Sequence, residues 1–200
     1  MKSMMAIRIA GVVGIFASLF GLCTVLTATF LAGSTFSWNE NALSDIGVST
    51  VSLAANVFNS SLIITGLLNL IFALGFTKAN AKNALFYIGG LLLILGGISL
   101  SLVGVFTEAY GRLHFYVSAG YFGLFALAII VNGLALRKAG QATRGNVSIL
   151  IGFISGLVVL SGTAIEWHLW LGLGFAVPEI IASIIFAAWT IWMGISLSVD

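Results

Sequence analysis

Charged residues are scarce in this sequence, which has only eight basic and six acidic side chains among 200 residues. A soluble domain carries about 25% charged residues, because its surface must face water. At 7% charge and 60% hydrophobic residues, this chain cannot cover a water-facing surface. The shortage therefore predicts a protein whose solvent is lipid. The net charge of +2 is also too small and too dispersed to indicate a nucleic acid as a partner.

Cysteine and proline are almost missing, with one residue of each, Cys23 and Pro178. A single cysteine excludes an internal disulfide. Cys23 lies deep in an apolar run without partners at metal-ligand spacing, so we expect it to be a small buried apolar side chain. The alternation of polar and apolar residues that marks membrane strands is missing too, which argues against an outer-membrane barrel.

Six apolar runs fill most of the chain, and each is near the roughly 20 residues that a membrane span needs. Backbone amides in hydrocarbon must pair within their own segment, so the runs predict helices. The first run is too long for the apolar core of a signal peptide and is expected to be a retained helix. We predict an all-α, polytopic membrane protein with one six-helix transmembrane domain over residues 1–200. The predicted spans are Ile7–Ala32, Leu53–Phe76, Ala84–Phe106, His114–Leu136, Val147–Ile165 and Val177–Ser198.

The basic residues predict the orientation of this bundle. With six spans, both ends of the chain lie on one side of the membrane. Seven of the eight basic residues fall on that side, and only Arg112 falls on the other: Lys2, Arg8, Lys78, Lys82, Arg137, Lys138 and Arg144. The positive-inside rule then places both termini in the cytoplasm. The expectation is a multi-pass protein of the cell membrane with only short loops on either side.

The acidic residues and both histidines gather at the opposite, outer end, which the positive-inside rule does not explain. Asp200 is the exception, and the others are Glu40, Asp45, Glu108, Glu166, Glu179, His114 and His168. The most polar stretch, FSWNENALSDIG (residues 36–47), connects the first two spans, and we expect it to cover a pocket. Four polar residues at the outer part of the second span are expected to face the bundle, since lipid disfavours them: Asn56, Asn59, Ser60 and Ser61.

These observations predict a polar pocket in the outer leaflet that binds a lipid headgroup or an ion. Its expected ligand-binding residues are Ser44, Asp45, Asn59, Glu108, His114, Glu166, His168 and Glu179. Imidazole and carboxylate groups suit a divalent metal, which makes Glu108, His114, Glu166 and His168 candidate ligands. Their spacing matches no recognised zinc motif, so no metal is assigned.

Two alternatives stay open. The first is a membrane-embedded lipid hydrolase or transferase in which a carboxylate orients a histidine as general base. Its candidate catalytic residues are Asp45, Glu108, His114, Glu166 and His168, and Ser44 is a candidate nucleophile without the usual G-x-S-x-G elbow. The second is a non-catalytic accessory subunit of a membrane complex. Membrane lipids are the expected partners, with a homo-oligomer or a membrane complex as further ones.

Three segments carry a resemblance to a known family: ALSDIG (residues 42–47), NVFNSSLIITGLL (56–68) and VGVFTEAYGRLHFYVSAGYF (103–122). Together they resemble the domain-of-unknown-function family 998, six-helix membrane proteins found largely in archaea. The matching positions are Ser44, Asp45, Phe58, Asn59, Glu108 and His114, while Thr107 stands where the family often has proline. That family is distantly similar to the DRAM/FRAG membrane proteins, which implies a role with lipids but assigns no catalytic residue.

Overall fold

The computed structural model describes residues 2–164 and 171–199. In this part of the chain, six helices are long and apolar enough to cross a membrane, which confirms the predicted all-α class and the number of spans. The helices run past the apolar cores in places, because polar residues at the interface can continue a helix beyond the hydrocarbon. They are α1 (Lys2–Ala32), α2 (Ser52–Asn80), α3 (Ala84–Val105), α4 (Arg112–Lys138), α5 (Ala142–Ala164) and α6 (Ala176–Val199).

The connections at the two ends of the bundle differ. At the basic end, Asn83 caps α3: its Oδ1 accepts the Leu85 amide at 3.1 Å, and its Nδ2 donates to the Ala135 carbonyl at 3.1 Å. One side chain thus starts α3 and fixes it to α4. The acidic end instead holds three short 3-10 helices, at Gly33–Thr35, Leu43–Val48 and Glu108–Tyr110.

The six helices form a closed ring, in which each helix packs on the next and α6 packs back on α1. Glycines permit the closing contact: a Cβ added to Gly11 would lie 2.6 Å from the Gly194 carbonyl oxygen, and a Cβ added to Gly194 would lie 2.7 Å from the Gly11 oxygen. Membrane helices associate largely through such close packing, because lipid provides no hydrophobic drive between them. Gly11 and Gly194 therefore form a packing seam between α1 and α6.

Aromatic rings fill the middle of the ring of helices. Trp189 of α6 is fully buried, and its ring packs edge-on against Phe72 and Phe76 of α2, at centroid distances of 6.4 and 5.6 Å. The indole Nε1 donates a hydrogen bond to Ser148 of α5 at 3.0 Å. We call Phe72, Phe76 and Trp189 the aromatic plug. It lies between a cavity on the acidic side and another on the basic side.

Two expectations about burial are wrong. Cys23 is exposed on the outside of α1, since one turn of a span has a lipid-facing side as well as a packed side. On α2, Ser61 is buried and Asn59 is partly buried, but Asn56 and Ser60 are exposed. Residues 56 and 60 are one turn apart and share a face that points away from the one that buries Ser61, so the four polar residues cannot all face the bundle.

Candidate functional site

The polar stretch between α1 and α2 folds over the end of the bundle as a lid, which we define as residues 36–48. Its backbone is hydrogen-bonded to the segment that leads into α6. The Gly174 amide donates to the Trp38 carbonyl at 2.8 Å, and the Ala176 amide donates to the Asn41 carbonyl at 2.8 Å. A Cβ added to Gly174 would lie 2.6 Å from the Asn41 oxygen, so this approach of two backbones requires glycine.

Asp45 holds the lid in its turn. Its Oδ2 accepts hydrogen bonds from the Asn41 side-chain amide at 2.7 Å and from the Ala42 backbone amide at 3.0 Å. A carboxylate with donors on the backbone just before it is a common way to fix such a turn. Asp45 therefore has a structural task in the lid besides any contact with a ligand.

Asn59 fastens the lid to α2. Its Nδ2 donates to the Gly47 carbonyl at 2.9 Å. A Cβ on residue 47 would lie 2.6 Å from Asn59 Oδ1, so the small size of Gly47 allows this side chain to reach the lid. The Asn59 side-chain amide and the Gly47 carbonyl are thus hydrogen-bonded to each other within the protein.

Glu179 reaches from the first turn of α6 to the lid. Its Oε2 accepts the Leu43 backbone amide at 2.7 Å, and the side chain is only 7% exposed. Pro178 occupies the same first turn, where its missing amide hydrogen leaves no helical bond unmade. The structure therefore gives Glu179 a partner 136 residues away in addition to its position at a helix start.

Glu108 meets the lid from the other side, in the short 3-10 helix before α4. The Ser44 hydroxyl donates to Glu108 Oε1 at 2.6 Å, and the Asp45 carboxyl lies near that of Glu108. Partial burial raises the pKa of the Glu108 carboxyl, and the neighbouring Asp45 carboxyl raises it further, against the opposing effects of Ser44 and His114.

His114 is buried at the start of α4, where its ring nitrogens bond to a carbonyl and a hydroxyl rather than to a carboxylate. Its Nδ1 lies 2.6 Å from the Phe106 carbonyl oxygen and therefore carries the hydrogen, since a carbonyl can only accept. Its Nε2 lies 3.2 Å from the Ser118 hydroxyl. Both ring nitrogens are thus engaged, one by the residue that follows α3 and one by α4.

The structure thus brings four of the predicted residues into one cluster under the lid: Ser44, Asp45, Glu108 and Glu179. We call it the carboxylate cluster. Asn59 and His114 lie at its borders, and Glu166 and His168 lie outside the described residues. In the described part of the chain, no three His, Cys, Asp or Glu side chains are placed to hold a metal ion.

A cavity of about 90 Å³ lies directly below this cluster and extends into the ring toward the aromatic plug. Leu43, Ser44 and Glu179 form its outer end, and Thr65, Asn69 and Thr190 line its deep part. Most of its wall is apolar. The Thr65 hydroxyl is buried without a hydrogen-bond partner, which is costly in an apolar environment unless something binds it. The remaining polar side chains of the wall are Ser18, Ser118, Tyr121 and Ser183.

Sequence reasoning missed most of these cavity residues. The signal was a stripe on α6, where Glu179, Ser183 and Thr190 recur at the helical period and share one face. Thr65 and Asn69 of α2 are likewise four residues apart. Serine and threonine are common in membrane helices because they bond their own backbone, as Ser18 does to the Gly14 carbonyl at 2.9 Å, so single positions carry little information.

The raised pKa of Glu108 predicts a stability that falls as pH rises. A carboxyl whose pKa is higher in the folded than in the unfolded state stabilises the fold below the ordinary value of 4.5, and this contribution is lost as pH rises through the raised pKa. We expect the unfolding temperature of the detergent-solubilised protein to decline over that window, and to decline less in Glu108→Gln. A pH titration of thermal unfolding measures this. Glu40→Gln, which changes an exposed acid of the same lid, should keep the wild-type profile; equal profiles for wild type and Glu108→Gln would contradict the assignment.

A ring of six apolar helices, in which the charged residues of the described part of the chain lie at the two ends, defines a multi-pass membrane protein. A family model described as "protein of unknown function (DUF998)" matches residues 9–196, and the chain belongs to this family. This confirms the resemblance found in the sequence. No curated protein and no solved structure matches the chain.

Proposed function

We propose that this protein resides in the cell membrane and binds an amphiphile with an ammonium headgroup, such as an ethanolamine lipid, from the outer leaflet. The ammonium group lies at the carboxylate cluster and its methylenes fill the cavity next to it, while the phosphate and the acyl chains stay outside. The observation that carries the proposal is the cavity itself, whose outer end is formed by Glu179 and Ser44 and whose wall is mostly apolar. A cavity with an acidic outer end and a mostly apolar wall matches a cationic amphiphile.

Charge decides between cationic and anionic headgroups. Asp45, Glu108 and Glu179 are close enough to influence one another electrostatically, so a phosphate placed among them would be repelled. An ammonium group would offset their mutual repulsion and donate hydrogen bonds to carboxylate oxygens. The neighbouring Asp45 is one cause of the raised pKa of Glu108, and a positive charge placed between the two carboxyl groups would lower that pKa again.

The size and polarity of the cavity support a small group rather than a whole lipid. A volume of about 90 Å³ exceeds the roughly 10–15 Å³ that a single water needs on the same measure, so the cavity has room for a small organic group. An ethanolamine group with its four non-hydrogen atoms is of this order, which leaves the acyl chains outside in the bilayer. The unpartnered Thr65 hydroxyl is then available to a polar atom of the ligand.

The contact between Ser44 and Glu108 favours one second candidate, an ester hydrolase or transferase. With 2.6 Å between Ser44 Oγ and Glu108 Oε1, the carboxylate could accept the hydroxyl proton while the oxygen attacks an ester carbonyl. The ester C–O bond then breaks, the acyl group stays on Ser44, and the alcohol leaves with the proton that Glu108 returns. The bonds of His114 to Phe106 and Ser118 speak against histidine as that base. The cluster would then be a binding site that also reacts. A homo-oligomer or a larger membrane complex stays a prediction.

Binding of ethanolamine lipid to the purified protein tests the proposal. Native mass spectrometry would compare two phospholipids with identical acyl chains, one with an ethanolamine and one with a glycerol headgroup. We expect a preference for ethanolamine in the wild type and a loss of about ten- to a hundredfold in Glu108→Gln, because a hydrogen bond to a charged group contributes about 1.5–3 kcal/mol. Glu40→Gln is the matched control, with the same chemical change at an exposed position of the lid.

The Thr65 hydroxyl provides an independent check of the cavity. In Thr65→Val the shape is kept and the unpartnered hydroxyl is removed, so the empty protein should be as stable as wild type or more stable. If a ligand uses the hydroxyl, its binding weakens in the same variant.

A preference for the glycerol headgroup, or equal binding by wild type and Glu108→Gln, would refute the ammonium site. Ester turnover that is lost in Ser44→Ala would instead select the enzyme.

A further inference from the structure

The basic end of the bundle holds a second cavity, of about 270 Å³, on the other side of the aromatic plug. We call it the basic bowl. Three cationic side chains from three different elements line it: Arg8 of α1, Lys82 of the turn between α2 and α3, and Arg144 of α5. Its apolar lining includes Phe76, Leu136, Met193 and Leu197, which belong to the interior of the ring.

Acidic side chains of the described residues lie far from this bowl. Glu40, Asp45, Glu108 and Glu179 are all in the connections and helix ends of the acidic side. Asp200, the one acid that the sequence places toward the basic end, lies outside the described residues. Three cations that converge on one cavity repel each other, so an anion bound between them is stabilised.

We propose that the basic bowl binds the phosphate group of an anionic membrane lipid. Guanidinium groups match phosphate oxygens in geometry and donate two hydrogen bonds at once, and Arg8 and Arg144 approach the cavity from different helices. The Gln141 side chain accepts a hydrogen bond from Arg144 Nη1 at 3.3 Å, which holds that guanidinium at the rim. The apolar floor suits the glycerol and first acyl carbons next to the phosphate, so the whole surface has the polarity of the headgroup boundary.

The bowl differs from a generally basic surface in one respect that an experiment can use. Among the other cations at the same end of the bundle, Lys78, Arg137 and Lys138 do not line the cavity. A diffuse attraction between the basic end and anionic lipid would depend on both sets equally. A built site depends on the lining set alone.

Two triple variants with the same change in net charge therefore test the proposal: Arg8→Gln/Lys82→Gln/Arg144→Gln for the bowl and Lys78→Gln/Arg137→Gln/Lys138→Gln as control. Native mass spectrometry of the full-length protein in detergent would measure binding of phosphatidylglycerol against phosphatidylcholine with the same acyl chains. We expect the bowl triple to bind phosphatidylglycerol about tenfold or more weakly than the control triple, since the loss of one hydrogen bond to a charged group weakens binding by about tenfold or more. Size-exclusion profiles and unfolding temperatures would confirm that both variants are folded. If a triple variant does not fold, the single variant Arg144→Gln takes the place of the bowl triple.

The source of the phosphate is decided by a second probe, inorganic phosphate without lipid. If millimolar phosphate competes with phosphatidylglycerol in the wild type but has no effect in the bowl triple, the bowl takes the free anion as well as the lipid. If only the lipid binds, the glycerol and acyl carbons on the apolar floor are part of the recognition. Equal weakening in both triples, or no preference for phosphatidylglycerol over phosphatidylcholine, would overturn the proposal. Neither result depends on the carboxylate cluster at the opposite end.

Discussion

Replacement of Trp189 by alanine is expected to destabilise the protein by about 3–5 kcal/mol. The indole is fully buried at the centre of the ring and packs on Phe72 and Phe76, so its removal leaves a hole that the surrounding helices cannot fill without moving. It also removes the hydrogen bond to Ser148 between α6 and α5. Thermal or denaturant unfolding of the protein in detergent measures the loss.

Trp189→Phe separates packing from hydrogen bonding. The phenyl ring keeps much of the volume between Phe72 and Phe76 but cannot donate to Ser148, so we expect a much smaller destabilisation than for alanine. If Trp189→Phe and Trp189→Ala lost the same amount of stability, the hydrogen bond of the indole, and not its packing between the helices, would hold the centre of the bundle. A stable Trp189→Ala would show that the ring does not depend on the aromatic plug.

The second large effect is expected at Glu179, where leucine should lower stability by about 1–3 kcal/mol. Leucine has nearly the same size, but it leaves the buried Leu43 amide without an acceptor. The bond joins the lid to α6, so its loss should also open the lid. We expect faster hydrogen exchange across residues 42–48 and weaker binding of the ethanolamine lipid, measured by exchange mass spectrometry and native mass spectrometry.

Glu179→Gln is the matched control, because its side-chain carbonyl can still accept the Leu43 amide. Stability and lid protection should return to near wild type in this variant. Binding of the ammonium lipid should stay weakened, since the amide carries no charge. If Glu179→Gln were as unstable as Glu179→Leu, the bond to Leu43 would not be what holds the lid.

The helical part of this structure was predictable because membrane spans obey a simple length and polarity rule. Six apolar runs gave six helices, and the ends of those helices placed the acids together. The order of packing was not predictable from the same rule, because every span is apolar on most sides and a lipid-facing residue resembles a packed one. Cys23 is an example: its neighbours are as apolar as those of buried residues, yet it is exposed.

The candidate site was predictable in composition but not in contacts. The position of Glu108 and His114 around one short connection correctly predicted that they lie at one end, but the imidazole is bonded to Phe106 rather than to a carboxylate. That choice depends on the local path of the backbone, which residue spacing does not determine. The Leu43–Glu179 bond joins distant parts of the chain and exists only because the lid folds across the ring.

The seam between Gly11 and Gly194 has a consequence for how freely the chain could be rearranged. Because the first and last helices are neighbours, a short peptide could join the end of α6 to the start of α1 without crossing the bundle. The chain could then be opened instead in the turn between α2 and α3 or between α4 and α5, and every helix would keep both of its neighbours. Circular permutation would thus change the order of synthesis while preserving the architecture.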